Sequence, residues 1–383
     1  MSDPDETQEA DSVEESAPPS LSTRILRSWV WVVPAAAIVL LVFIWERDIA
    51  WPVYLVAGAL LIGTILAAVH HAEIVAHRVG EPFGSLVLAV AVTVIEVALI
   101  VTLILIKPVG SETLARDTVF AAVMITVNGI VGLSIFVGGL RHNLPVFNRE
   151  GAGSALAVVA TITTLTLVVP TFTTSEGGSQ FSDSQLYFVA IVAIVLYTGF
   201  VLLQAGRHRD FFLPVSKSGK PISEDQHVDP PSLRAALVSL ALLLVALVGV
   251  VGLAKSVSPG IEYVVSAAGV PQSFVGVVVA LLVLMPEGVA AVKAALRNRL
   301  QTSLNLGLGS AMASIGLTIP TLAVASIWLP SPLVLGLGSV QIVLFALTMV
   351  VATLTIVQGR ATRLQGVAHL GILASFIFLA AQP

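Results

Sequence analysis

Eleven apolar runs, each of about the length that crosses a lipid bilayer, dominate this 383-residue sequence. A helix needs about 20 predominantly apolar residues to span the hydrocarbon core. The runs are continuous and do not alternate with polar residues, which excludes a transmembrane β-barrel. The sequence therefore predicts an all-α polytopic membrane protein with eleven transmembrane helices. The runs lie at approximately 29–45, 51–69, 84–106, 118–140, 153–171, 185–205, 235–254, 271–292, 302–327, 331–357 and 366–381.

Composition excludes most other classes of protein. Hydrophobic residues make up 56% of the chain and charged residues only 11%, with a mean hydropathy of +0.96. Soluble domains carry about 25% charged residues, so a soluble enzyme, a disordered protein and a nucleic-acid binder are excluded. The chain has no cysteine, which excludes disulfides, zinc–thiolate sites and iron–sulfur clusters. No cofactor is predicted.

Polar segments divide the chain into five parts. Residues 1–28 hold seven of the 23 acidic residues and predict a disordered acidic cytoplasmic tail. An extra N-terminal transmembrane helix follows at 29–48, and a polar, proline-containing loop at 206–234 separates the remaining runs into two sets of five. Because five is odd, the sets at 49–205 and 235–383 have opposite orientations, which predicts two inverted repeats.

Lysine and arginine predict the orientation. When loops are assigned alternately to the two sides, 15 of the 19 basic residues fall on the side of the N-terminus and 4 on the other. Cytoplasmic loops carry the excess of positive charge. The N-terminus and the 206–234 loop are therefore predicted to be cytoplasmic and the C-terminus outside, in a multi-pass protein of the inner (plasma) membrane. Membrane lipid and inorganic cations are the predicted partners, nucleic acid is not one, and the oligomeric state stays open.

Two carboxylates interrupt the apolar runs. Glu96 lies near the middle of the third run, and Glu287 lies deep in the eighth. Carboxylates at such depth cost free energy and are usually functional. Each glutamate is on the second span of its set, and inverted repeats place such equivalent positions together at the midplane. The alternative is that each is a protonated glutamate that hydrogen-bonds to a neighbouring helix.

Two facing carboxylates in a site of low dielectric constant need a neutralising partner. A cation and protons can each neutralise them, but not both at once. Such competition, combined with alternating access, is sufficient for cation/proton antiport. Ca²⁺ fits because it prefers carboxylate, carbonyl and water oxygens, with Na⁺ or K⁺ as further candidates.

Further oxygen ligands are available nearby. Pro286 removes a helix hydrogen bond and frees a carbonyl for a cation. Asn128 on the fourth span and Ser310 on the ninth are candidate cation ligands, as are the oxygens of Asn305 and Ser314. The alternative for the glycine- and serine-rich stretch around Ser310 is close helix packing. A separate cluster of His70, His71, Glu73 and His77 is interpreted as a cytoplasmic helix end that gathers cations, with a transition-metal site as the alternative.

The runs HAEIVAHRVGEPFGSLVLAVAVTVIEVALI and LLVLMPEGVAAVKAALRNRLQTSLNLGLGSAMASIGLTIP resemble the bacterial sodium–potassium/calcium–proton antiporters of the ChaA type, in the cation/calcium exchanger superfamily. The resemblance covers nearly the whole chain. It implies two inverted repeats with an essential acidic residue in each, at Glu96 and Glu287. It also implies an upstream acidic residue at Glu81, with a role in cation or proton access. Of the further polar residues that the family carries at its ion site, Asn128 is present in this sequence. The family's usual repeat core reads Gly-Asn-Ala-x-Glu. This sequence has neither the Gly nor the Asn of that core in either half.

The prediction is a secondary active antiporter that exports Ca²⁺, or Na⁺ or K⁺, in exchange for H⁺, and not an enzyme. A cation channel or passive carrier is the alternative, and it would not require an opposing gradient. An intramembrane enzyme is a third class, but no HExxH motif is present. No Walker A motif is present either, which argues against ATP-driven pumping by this chain.

Overall fold

The computed structural model describes residues 21–47, 49–80, 83–106, 111–206, 209–215, 230–329 and 332–383. Eleven long helices account for most of these residues. They are α1 (Leu21–Ile44), α2 (Trp51–Val79), α3 (Phe83–Ile106), α4 (Leu114–His142), α5 (Arg149–Thr171), α6 (Asp183–Ala205), α7 (Leu233–Ala267), α8 (Phe274–Leu296), α9 (Leu300–Ala325), α10 (Ser339–Ile356) and α11 (Arg363–Ala381).

Within the described residues, ten of these helices are long and apolar enough to cross a membrane, and the apolar part of α1 is the shorter Ser28–Ile44. The all-α polytopic fold class is therefore confirmed. Predictions for Glu81, for most of the N-terminal tail and for 216–229 in the central loop lie outside the described residues. The division into two inverted repeats stays a prediction.

Four helix boundaries differ from the predicted ones by eight residues or more. Helix α1 begins at Leu21, eight residues before its predicted start. Helix α2 continues to Val79, ten residues beyond the predicted end of its apolar run, and α7 continues to Ala267. Polar residues show where a helix leaves the hydrocarbon core, but they do not by themselves end the helix. The apolar runs therefore underestimate the lengths of both helices. Helix α10 begins only at Ser339, and residues 332–338 before it are non-helical. In this segment the Leu337 N–H donates to the Leu167 carbonyl of α5 at 2.8 Å instead of to a carbonyl of its own helix.

Helix α9 lies at the centre of the bundle. It packs against α3, α4, α5, α6 and α8, whereas α1, α2 and α7 pack chiefly against one another and against α3. Glycine permits the closest of these approaches. A Cβ atom on Gly316 would lie 2.8 Å from Cβ of Tyr197 on α6, and one on Gly307 would lie 2.9 Å from Cγ2 of Val131 on α4. Gly307 therefore serves helix packing.

Two helices contain π-helical turns, at Ile125–Ile130 in α4 and Thr164–Val168 in α5. A π turn inserts an extra residue into the helical repeat and is frequently found at functional sites. The turn in α4 packs against α8 and α9, the two helices that carry most of the polar groups described next.

Candidate cation site

Glu96 and Glu287 occupy the same place in two different helices. Helix α3 begins at Phe83 and α8 begins at Phe274, so each glutamate lies thirteen residues after the first residue of its helix. Both side chains line one cavity of about 240 Å³ between α3, α6, α8 and α9. The structure thus brings together the two carboxylates that the sequence analysis paired.

Glu96 is held by two hydroxyl groups of α9. The Ser314 hydroxyl lies 2.8 Å from Oε1 and 2.9 Å from Oε2, and the Thr318 hydroxyl donates to Oε2 at 3.1 Å. Residues four apart lie on one face of a helix, so α9 presents both donors to α3. Glu96 is only 3% exposed, and these hydrogen bonds compensate a carboxylate that would otherwise be buried at high cost.

Thr318 was not identified from the sequence. Most buried threonines of this bundle donate to a carbonyl of their own helix, as Thr118 does to Leu114 and Thr126 does to Ala122. Thr318 donates across to another helix instead. Its spacing from Ser314 is the only sequence signal that marks it.

Glu287 has no comparable support. It follows Pro286 on α8 and is half-buried. Its Oε2 atom is buried and accepts no hydrogen bond from any described residue. A buried acceptor without a donor costs free energy, so this oxygen requires a cation, a proton or water. Glu287 also lies within electrostatic range of Glu96 and of Glu73 on α2.

The remaining polar groups lead from the carboxylates toward one end of the bundle. Ser310, a predicted ligand, lines the cavity together with Asn305 and Thr302 near the start of α9 and Gln204 near the end of α6. Gly309 also lines it and has no atom within 4 Å of an added Cβ, so its missing side chain keeps the cavity open. The other lining residues are mainly apolar.

Asn128 lies outside this cavity. Its Nδ2 atom donates to Thr348 of α10 at 2.9 Å, and its Oδ1 atom lies 3.1 Å from Nδ1 of His369 on α11. The other ring nitrogen of His369 lies 3.3 Å from the Thr355 hydroxyl. The amide predicted as a cation ligand is therefore engaged in a separate, fully buried polar cluster between α4, α10 and α11.

The histidine-rich end of α2 was the second predicted cluster of polar side chains. Nδ1 of His70 lies 4.0 Å from a carboxylate oxygen of Glu73, and both side chains are about half exposed. Among the described residues, no group of three or more His, Cys, Asp or Glu side chains is arranged to hold a metal ion. This favours the interpretation of an accessible helix end over the transition-metal alternative.

Comparisons with known proteins assign the family. The sequence profile of the family described as "Sodium/calcium exchanger protein" matches residues 49–206 and 238–382. The chain is 45% identical over 360 residues to the "Putative ionic transporter y4hA" of Sinorhizobium fredii, covering 93% of this chain and 96% of that protein. It is 32% identical over 350 residues to the "Sodium-potassium/proton antiporter ChaA" of Escherichia coli, covering 90% and 94%.

Solved structures share the fold. Native YfkE superposes with a TM-score of 0.68 at 20% identity, covering 92% of this chain and 100% of that chain. The H⁺/Ca²⁺ exchanger CAX superposes with a TM-score of 0.69 at 15% identity, covering 94% and 93%. With family profile, relatives and fold in agreement, this chain belongs to the sodium/calcium exchanger protein family.

Proposed function

We propose that this membrane protein is a secondary active antiporter that moves Ca²⁺, or Na⁺ or K⁺, out of the cell in exchange for H⁺. The observation that carries the proposal is the single cavity lined by Glu96 and Glu287. Two relatives support the reaction class, since the one from Escherichia coli is named a sodium-potassium/proton antiporter and one from Bacillus subtilis, at 23% identity, a Ca²⁺/H⁺ antiporter.

Competition for the two carboxylates couples the ions. Protons bound to Glu96 and Glu287 remove the negative charge that holds a cation, and a bound cation disfavours protonation of the same oxygens. One divalent cation or two protons neutralise the pair equally. A monovalent cation neutralises one carboxylate and leaves the other for a proton.

The two glutamates have different parts in this scheme. Glu96 is fixed by Ser314 and Thr318, so its oxygens are already positioned as ligands. Glu287 has an oxygen without a donor and supplies the less restrained half of the site. Ser310 can add a hydroxyl ligand from the cavity wall, and water completes the six to eight oxygens that Ca²⁺ prefers.

Alternating access follows from the proposed inverted repeats at 49–205 and 235–383. The two stretches that the family profile matches, 49–206 and 238–382, have nearly the same limits. The cavity extends toward Gln204 and Thr302, beside the loop that the basic residues assign to the cytoplasm. The described conformation is thus proposed to face inward. Glu81, the upstream acidic residue of the first set, is proposed to assist cation or proton access.

Everted membrane vesicles that contain a pH-sensitive dye test the function. The lumen is first acidified, and Ca²⁺, Na⁺ and K⁺ are then added separately. Protons should leave the lumen only when the added cation is one that the protein transports. Glu150→Gln is a matched control, because Glu150 is half exposed at the start of α5 and pairs with Arg149. Cation flux that proceeds without an opposing gradient and without proton movement would instead establish a channel or passive carrier.

A further inference from the structure

A second cavity lies far from the paired glutamates. It has a volume of about 310 Å³ and is lined by the first turns of α4, α8 and α10 and by the last turns of α11. All four are helix ends that meet at one end of the bundle, where a membrane protein contacts the lipid headgroups. The proposed exchange mechanism does not use this cavity.

An ion pair with spare capacity forms its polar side. The Nε and Nη2 atoms of Arg116 each lie 2.8 Å from Oδ1 of Asp117, and Nη1 donates to the Gly336 carbonyl at 3.1 Å. Three of the five N–H groups of the guanidinium are thereby engaged, which leaves two for a ligand. Gln341 donates to the same Oδ1 at 3.3 Å.

The second oxygen of Asp117 has no partner. The residue is only 4% exposed, and its Oδ2 atom accepts no hydrogen bond from the described part of the chain. A buried carboxylate oxygen without a donor costs free energy. Two adjacent residues of the cavity wall therefore hold an acceptor without a donor, on Asp117, and donors without an acceptor, on Arg116.

The opposite wall is apolar and lies deeper. Phe376 precedes the end of α11 by five residues and Leu344 follows the start of α10 by five, which places both about 7.5 Å further along their helices. Val340 lines the cavity and, like Val343 one turn on, is exposed on the outer surface of the bundle. The cavity thus opens toward lipid, with its charges at the headgroup level and its apolar wall below.

We propose that this cavity binds a zwitterionic phospholipid with a primary ammonium headgroup, a phosphatidylethanolamine. The lipid phosphate accepts hydrogen bonds from the free N–H groups of Arg116. The ammonium group donates to Oδ2 of Asp117, and the first methylene groups of an acyl chain contact Phe376 and Leu344. Headgroup pockets between transmembrane helices are a known form of lipid recognition.

Other lipids match the site less well. Phosphatidylcholine carries the same charges, but its quaternary ammonium has no N–H to donate to Asp117. An anionic headgroup such as phosphatidylglycerol would pair with Arg116 but bring no cationic group to Oδ2 of Asp117, so the occupied site would hold one excess negative charge. A soluble phosphoethanolamine would leave the apolar wall unused.

Native mass spectrometry of the purified full chain in detergent tests the proposal without any transport measurement, so its outcome is independent of the proposed antiport. Dioleoyl-phosphatidylethanolamine, -phosphatidylcholine and -phosphatidylglycerol are added separately at equal concentration. The expected result is one retained phosphatidylethanolamine per chain, preferred over phosphatidylcholine by about tenfold, the effect of one hydrogen bond to a charged acceptor. Soluble phosphoethanolamine should not displace it.

Three variants assign the lipid to this cavity. Arg116→Gln and Asp117→Asn should lose the preference, and Ala380→Phe should lose the lipid by filling the cavity without altering the ion pair. Lys255→Gln is the control, because Lys255 pairs with Glu46 at 3.2 Å outside the cavity. If either polar variant does not fold, Ala380→Phe alone still decides.

Several results would overturn the proposal. Equal retention of phosphatidylethanolamine and phosphatidylcholine would show that the ammonium donors are not recognised. Preference for phosphatidylglycerol, displacement by soluble phosphoethanolamine, or unchanged retention by Ala380→Phe would each contradict it as well.

Discussion

The hydroxyl of Ser314 lies within 2.9 Å of both carboxylate oxygens of Glu96, which joins the centre of α9 to the centre of α3. Thr318, one turn further along α9, adds a second donor. Glu287 on α8 shares the cavity but receives no such donor at Oε2. The site therefore consists of one restrained and one less restrained carboxylate.

Glu96→Gln and Glu287→Gln should each abolish cation-driven proton release. Glutamine keeps the shape of the side chain but removes the negative charge that both the cation and the proton require. The assay is dye-monitored exchange in everted vesicles, with membrane insertion checked by size-exclusion chromatography of the solubilised protein. Near-normal exchange by either correctly inserted variant would make the paired-carboxylate mechanism wrong.

Ser314→Ala should raise the apparent KM for the cation by about tenfold. The substitution removes the hydroxyl that lies closer than that of Thr318 to the buried carboxylate of Glu96. Thr318→Ala should have a smaller effect in the same direction, since its hydrogen bond is longer. Thr321→Ala is the matched control, because Thr321 is exposed on α9 and donates only to the Leu317 carbonyl. Equal KM values for the three variants would contradict the role of the α9 hydroxyls.

Raising the pH should lower the apparent cation KM, with a smaller effect on the maximal rate. Protons and the cation compete for the same oxygens, so fewer protons leave more sites free for the cation. Initial rates at several cation concentrations across about pH 6.5 to 9, a range over which buried carboxylates release protons, provide the measurement. A KM that does not change with pH would mean that the two ions do not share a site.

Deletion of 215–229 should leave basal exchange detectable. These residues lie outside both stretches matched by the family profile. The deletion retains the Phe212 carbonyl, which accepts a hydrogen bond from Asn305 of α9 at 2.6 Å. Complete loss of transport by a correctly inserted deletion variant would show that the loop is part of the transport machinery.

Two glycines of α9 should respond differently to alanine. Gly316→Ala should lower the free energy of unfolding by about 1–3 kcal/mol, the usual cost of overpacking. Its Cβ would lie 2.8 Å from Tyr197. Gly309→Ala should leave stability nearly unchanged, because nothing lies within 4 Å of its Cβ. Thermal unfolding of the purified variants measures both. A larger destabilisation by Gly309→Ala would contradict the cavity described around Ser310.

The sequence alone was sufficient to pair Glu96 with Glu287, because the count of spans depends only on hydrophobic length and places both in equivalent positions. It could not locate Asn128, whose side-chain direction depends on the π turn of α4 and on the fit of α10 and α11 against it. It could not select Thr318 either, because the choice between an intrahelical carbonyl and a partner on α3 depends on how closely two helices approach. The predicted ends of α2 and α7 came too early because helical backbone hydrogen bonding continues beyond the last apolar residue of a run.

Helices α2 and α7 have 29 and 35 residues, which correspond to about 44 and 52 Å of helix, whereas a bilayer core is about 30 Å thick. The two helices pack together, so they must project from the core or tilt as a unit to bury their apolar length. Any change of tilt that accompanies the exchange cycle alters the membrane thickness that this pair matches. Under the proposed alternating access, we therefore expect the thickness of the surrounding bilayer to act on the equilibrium between the inward and outward conformations, so that acyl-chain length becomes a means of shifting it.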